Sequence, residues 1–219
     1  MRPPEPATPK SLADPEALAA RRTLRDGAHV APLRVLAARI AAEFGAPAPD
    51  PDPLDGGVRA RLLLLLETPG PAIGRTGFVS RDNPTGTAAN LFRFLAEADI
   101  ARVDTLIWNA IPFVIHAEGA LNRAPRRSEI KAAAPCLAPL IALLPDLAVV
   151  VLAGRVAGMA GDTIAALRPD LPVLMIPHPS PTYVCTAPEV ASRIRAGLRQ
   201  AGVILRTCGA ARSGGAAPG

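Results

Sequence analysis

Three stretches of this sequence carry side chains able to handle protons, charge and flat polar ligands. The first is Glu67-Thr68-Pro69-Gly70-Pro71, a carboxylate on a stiffened turn, followed at a distance by Phe78 and Asp82-Asn83-Pro84. It could aim a carboxylate and backbone N–H groups into a cleft, although an ordinary strand-to-loop turn would account for it equally well. The second is Asn109, directly after Trp108. A carboxamide donates and accepts at once, so it can read the edge of a nucleobase or an amide; Asn after a strand also serves plain turns. The third, His178-Pro179-Ser180-Pro181, is the most specific. Prolines on both sides hold the loop, and a held neutral imidazole can donate to an oxygen that becomes negative in a transition state. The competing role is a bond to a backbone carbonyl. Phe78, after Gly77, could face a flat pocket or anchor its loop. His29 and His116 have no such setting and read as ordinary surface or core residues.

Those residues need a frame. Residues 62–66 are five leucines bounded by Arg61 and a Pro-Gly turn, the pattern of a strand buried on both faces. Further strands are expected at 105–108, 147–152 and 173–176. Helices are expected over 14–44 with a break near Gly27, and over 87–98 and 129–144, the last capped by Ser128 and kinked or divided by Pro135 and Pro139. Two more are expected over 156–167 and 188–201, before a short segment at 203–205. The alternation predicts an α/β fold, a three-layer α/β/α arrangement with a mainly parallel four-stranded central sheet in a single domain. The expected divisions are a disordered tail (1–10), an N-terminal helical extension and loop (11–57), the α/β domain (58–208) and a second disordered tail (209–219). In an open parallel sheet, ligands bind at the carboxyl ends of the strands. Glu67, Asn109 and His178 each follow a predicted strand, so the topology should bring them to one edge.

Composition narrows the partners. The chain of 219 residues has a formal charge of +5, carried mostly by arginine, and 3 % aromatic residues. An arginine excess suits a polyanionic partner, and a GC-rich genome would produce the same bias. Cys136, Cys185 and Cys208 are too few and too scattered for a disulfide framework or a four-ligand metal site. No apolar run reaches the roughly 18–20 residues of a membrane span, and residues 1–10 lack an apolar leader. A soluble, cytoplasmic, bacterial protein without membrane contact is expected.

Taken in order, these motifs resemble the uracil-DNA glycosylase superfamily over residues 58–205. Glu67 to Pro71 is similar to the first family motif, Phe78-Val79 to the aromatic that stacks on a flipped base, and Trp108-Asn109 to the Asn that reads the uracil edge. Asn122-Arg123-Ala124-Pro125 with Ser128-Glu129-Ile130 resembles a segment of the iron–sulfur branch, and His178 to Pro181 the second family motif. The resemblance implies a monofunctional hydrolytic glycosylase of base excision repair. It would flip uracil out of single- or double-stranded DNA, release it as free uracil and leave an abasic site, acting as a monomer near the nucleoid. It further implies His178 as catalytic, with Glu67 or Asp82 placing the water. Thr68, Pro69, Gly70, Pro71, Phe78 and Asn109 would hold the base, and Ser180 a phosphate. Thr182 or Tyr183 would fill the vacated stack, and Arg75, Arg81, Arg123, Arg126 and Arg127 would contact the DNA backbone. Only Cys136 falls at a cluster position, so no iron–sulfur cluster, metal or other cofactor is expected. Thr68 stands where the best-known branch has a water-orienting Asp, and Gly70 where the iron–sulfur branch has a Tyr. The alternatives are a glycosylase for another deaminated or mismatched base, a DNA-binding relative that does not hydrolyse, and a nucleotide or metabolite hydrolase on a similar sheet.

Overall fold

In a computed structural model that describes residues 4–71, 73–117, 119–120 and 122–213, the chain opens with helices α1 (Pro15–Thr23) and α2 (Ala31–Phe44). Asp14 caps α1 by accepting from the Glu16 N–H at 3.0 Å, and Pro15 occupies the first turn, where its missing N–H has no partner to lose. The two helices are separated around Gly27, as the apolar pattern predicts. Then come β1 (Asp50–Pro51), β2 (Leu62–Leu66), a single turn α3 (Ile73–Thr76), β3 (Phe78–Val79), α4 (Gly86–Glu97) and β4 (Thr105–Asn109). The second half runs through α5 (Arg127–Ala133), α6 (Leu137–Ala142), β5 (Val149–Ala153), α7 (Arg155–Gly158), α8 (Gly161–Leu167), β6 (Val173–Ile176), α9 (Pro181–Val184) and α10 (Pro188–Ser213).

The central sheet has the order β4-β2-β5-β6, all parallel. Its order reverses at β2, where the chain goes outward to β4 and then back across to β5. Period-two alternation divides the leucine run between two cores. Leu63 and Leu65 face α2, α6, α7 and α8, through Leu36, Ile40, Leu140, Val156 and Ile164. Leu62 and Leu64 face α4 and α10, through Leu91, Leu95, Ile194 and Leu198. The sheet is therefore covered on both faces, the three-layer α/β/α fold expected. Leu62, Leu63, Leu64 and Leu65 are all fully buried, and truncating any one to alanine should cost about 2–5 kcal/mol.

Several boundaries differ from expectation for local reasons. Residues 203–205 continue α10, whose Leu205 packs beside Leu198 and Ala201. The same helix runs through 209–213, where a tail was expected; the remainder of that tail, 214–219, and residues 1–3 and the single positions 72, 118 and 121 lie outside the described residues. Ser128 is not a cap: α5 begins one residue earlier, and the Glu129 carboxylate accepts from the Arg126 N–H at 2.6 Å. Pro135 and Pro139 do divide the 127–142 region, through a 3₁₀ turn at Ala134–Cys136. The unexpected element is a second, two-residue parallel pair in which Asp50 meets Phe78 and Pro51 meets Val79. It stitches the N-terminal region to the loop after the first motif. With Leu33, Leu36 and Ile40 of α2 inside one core, this N-terminal extension covers one face of the sheet.

Candidate active site

β2 and β4 continue their pairing one step past the sheet. Ala110 N–H donates to the Leu66 carbonyl at 2.8 Å and Ile111 N–H to the Glu67 carbonyl at 3.0 Å. Glu67 and Asn109 therefore leave the sheet side by side, since Leu66 and Asn109 are register partners. β5 and β6 are joined likewise by Gly154 N–H on the Ile176 carbonyl at 2.9 Å, which places the 177–181 loop beside the end of β5. The ends of β2 and β4 and the loop after β6 open onto a cavity of about 530 Å³. Glu67, Thr68, Pro69, Gly70, Pro71, Asn109, His178, Ser180, Thr182 and Tyr183 all line it. The topology thus brings carboxylate, amide and imidazole to one rim, at the point where the strand order reverses.

Glycine 154 decides how close two of them come. Its φ is +96°, and a β-carbon there would lie 2.8 Å from Glu67 Oε1 and 3.0 Å from His178 Cβ. The carboxylate and the imidazole loop thus close over a backbone with no side chain. Glu67 Oε1 also accepts from the Val156 N–H at 3.2 Å, so the acid is held at the turn into α7.

His178 is fixed by its own loop. The Ser180 N–H donates to His178 Nδ1 at 3.2 Å, so in the neutral ring the proton sits on Nε2, free to donate. Asn90 Nδ2 donates to the Pro179 carbonyl at 2.9 Å, and Pro181 packs where a side chain on Gly86 would collide with it. Burial lowers the imidazole's pKa below its ordinary 6.5, more than the neighbouring Glu67 carboxylate raises it. The ring is therefore a neutral donor at neutral pH. Tyr183 meets it edge-on at 6.3 Å and is 57 % exposed at the rim. Asn109 is buried, and among the described residues its carboxamide makes no bond within the protein, leaving its donor and acceptor to the cavity.

Other expectations need correction. Phe78 is 2 % exposed and lies outside the cavity lining; its neighbour Val79 is the lining residue. The β1–β3 pairing turns the phenylalanine inward as a loop anchor, and Leu66, Val79, Ala88 and Leu91 supply the apolar wall instead. Asp82 is also outside the lining, and fully buried. Its Oδ2 accepts from Arg21 at 2.9 Å and from Arg102 at 2.8 Å, and its Oδ1, though unpaired among the described residues, is enclosed away from the cavity, so this carboxylate cannot place a water there. Arg81 is 5 % exposed and bonded to the Thr105 hydroxyl, which removes it from any DNA backbone. Arg123 reaches the rim but is engaged with Glu129, at 2.9 Å and 2.5 Å, and with the Ile115 carbonyl at 2.6 Å. Arg75, Arg126 and Arg127 are exposed.

Sequence reasoning missed Gly154, Ser80, Asn83 and Thr85, although all but Gly154 line the cavity. The positive φ of Gly154 at a strand end had a visible signal, a glycine where β5 stops. The role of Ser80 had none, because it depends on contacts with Asp52, far away in the chain. Cys136 is 8 % exposed within the core that holds Leu137 and Leu140, where burial pushes the thiol's pKa up, with Glu43 adding to it.

Fold and rim together define an α/β protein with a cleft at the switch point of its sheet, walled by apolar side chains and edged by a carboxylate, an amide and an imidazole. A family model described as the uracil DNA glycosylase superfamily matches residues 54–195, well over half the chain, and the protein belongs to that superfamily. It is accordingly a DNA glycosylase, a hydrolase of DNA repair whose substrate is DNA. No curated protein matches the chain.

Proposed function

We propose that this glycosylase excises uracil, leaving an abasic site and free uracil. The observation that carries the reading is the shared rim of Glu67, Asn109 and His178, with His178 Nε2–H available as a donor. Extruding the nucleotide takes a few kcal/mol of unstacking. The flipped base would lie against the apolar wall, with Asn109 reading its polar edge. As the bond from the sugar C1′ to N1 breaks, the electron pair passes into the uracil ring and negative charge grows on its oxygen. His178 would stabilise that oxygen, one such donor being worth about 2.7–4 kcal/mol. The Glu67 carboxylate would stabilise the cationic sugar and orient the water that adds to C1′; it is favoured over Asp82 because it alone of the two lines the cavity. Ser180 would hold a phosphate and Tyr183 or Thr182 would enter the vacated stack.

A second reading has its own support. A β-carbon on Gly70 would meet nothing within 4 Å, so the first motif presents open space rather than a barrier to a larger base. A glycosylase for another deaminated or mismatched base would use the same rim. The test is a panel of single- and double-stranded oligonucleotides carrying uracil, thymine mismatched with guanine, hypoxanthine or xanthine, incubated without added metal and treated with alkali. Strand breaks at uracil and at no other base support the first reading. Breaks chiefly at another base support the second, and intact strands throughout overturn both.

A further inference from the structure

We propose that Arg21 and Asp52, in the N-terminal segment, are positioning residues for the cavity wall formed by residues 80–85. The inference rests on the excision reading only for its kinetic readout.

The wall is the side of the cavity that the sheet does not build. Ser80, Asn83, Pro84 and Thr85 line it. Internally it is braced by Asn83, which donates to the Phe78 carbonyl at 2.8 Å and accepts from the Thr76 hydroxyl at 2.8 Å. Its outer support comes largely from the first fifty-odd residues. Asp50 N–H donates to the Gly77 carbonyl at 2.9 Å, and Leu12 N–H to the Asp82 carbonyl at 3.1 Å. The Ser80 hydroxyl donates to Asp52 Oδ2 and in turn accepts from the Asp82 N–H at 2.9 Å. The Arg21 guanidinium, on the last turn of α1, spans Asp52 at 2.5 Å and Asp82 at 2.9 Å. Arg102 grips the same two carboxylates, at 2.7 Å and 2.8 Å, from the turn before β4.

Both arginines and both aspartates are at least nine-tenths buried. Buried ion pairs are poor sources of net stability, since hydrophobic residues of similar volume often do as well; their best-attested use is to fix geometry. A planar guanidinium across two carboxylates fixes the spacing and angle between the segments that carry them. Here those segments are the 52–55 turn and the cavity wall. Arg21 locks the wall from the N-terminal side and Arg102 from the sheet side. A misplacement of about 1 Å at a substrate-positioning group can reduce rate 10²-fold.

The experiment compares Arg21→Met and Ser80→Ala with Ile40→Ala, a truncation in α2 within the core on the other face of the sheet from Val79. Single-turnover rates at saturating enzyme on a uracil oligonucleotide are read beside hydrogen exchange of residues 78–85. Arg21→Met should slow release about 10- to 100-fold and speed exchange in 78–85 while leaving 149–153 protected. Ser80→Ala should do the same to a smaller degree and serves if Arg21→Met does not fold. Ile40→Ala should lower the melting temperature yet keep the rate within about two-fold of wild type. Wild-type rate and exchange in both wall variants would overturn the proposal, as would an equal rate loss in Ile40→Ala. If the wild-type protein releases no base, the excision reading fails, but the exchange comparison still decides whether Arg21 holds the wall.

Discussion

Glu67 and Asp82 flank the same loop, each just beyond a short strand, yet their carboxylates end in different chemical surroundings. Glu67 keeps one backbone N–H partner and faces the cavity beside a neutral imidazole. Asp82 sits where no solvent reaches it, in a knot of three arginines and three aspartates whose charges cancel. Within that knot burial pushes the Asp55 carboxyl up to about 6 against the pull of Arg102 and Arg81. One region leaves its polar groups under-committed so that a substrate can complete them. The other commits nearly all of them to each other, and so fixes a wall. A carboxylate near a motif is available for chemistry only when the fold turns its oxygens toward the cavity, as it does for Glu67 and not for Asp82.

The largest effects should fall on the under-committed side. His178→Ala and Asn109→Ala should each slow single-turnover base release about 10²–10³-fold, the usual consequence of removing one donor aimed at developing charge. Urea midpoints should stay near wild type, because neither side chain holds the core. Wild-type rates in both variants would detach the rim from the chemistry.

The next pair tests the contrast itself. Glu67→Gln should cut the rate about 10²-fold with little change in stability. Asp82→Asn should do the reverse in emphasis: it leaves two buried guanidiniums short of a charge and should destabilise the fold by about 3–5 kcal/mol, read as a lower urea midpoint. A rate loss in Asp82→Asn at full folding, larger than that in Glu67→Gln, would return the water-placing role to Asp82.

Much of this division was invisible in the sequence, and the reasons are physical. Leu62–Leu66 announced a strand because five β-compatible apolar residues between an arginine and a Pro-Gly turn have few other fates. Four strands alternating with helices then constrained the sheet to be parallel, which brought Glu67, Asn109 and His178 to one edge before any coordinate was known. Side-chain direction was not legible in the same way. Phe78 turned inward because of a two-residue pairing with Asp50 that no periodicity could signal. Arg81 and Arg123 looked like the exposed arginines until their partners, Thr105 and Glu129, were placed beside them. The part played by residues 11–57 was hidden for the same reason, since Arg21 acquires meaning only beside Asp52 and Asp82.

A smaller effect concerns the charge state of the rim. Burial lowers the His178 pKa, and the Glu67 carboxylate partly opposes that. The ring should therefore take up its proton with a midpoint below the ordinary 6.5, and the acid limb of excision should share that midpoint. An NMR titration of the His178 ring in wild type should show a midpoint below the ordinary value. In Glu67→Gln the midpoint should fall further, because the opposing charge is gone. A midpoint above the ordinary value would mean that the carboxylate dominates, and that the imidazole enters the reaction charged.

The smallest effect extends the same contrast to arginine. Arg75, Arg126 and Arg127 are exposed, whereas Arg21, Arg81 and Arg102 are buried among acids. Phosphate contacts release counterions, so each one contributes about 0.9 to the slope of log affinity against log salt. Arg126→Gln should weaken binding to any DNA sequence a few-fold and reduce that slope by about 1, without changing the rate at saturation. Arg81→Met should leave the slope unchanged, because its charge never reaches a phosphate. If the two variants alter the slope equally, the ion knot opens when DNA binds, and the buried arginines then belong to the interface as well as to the wall.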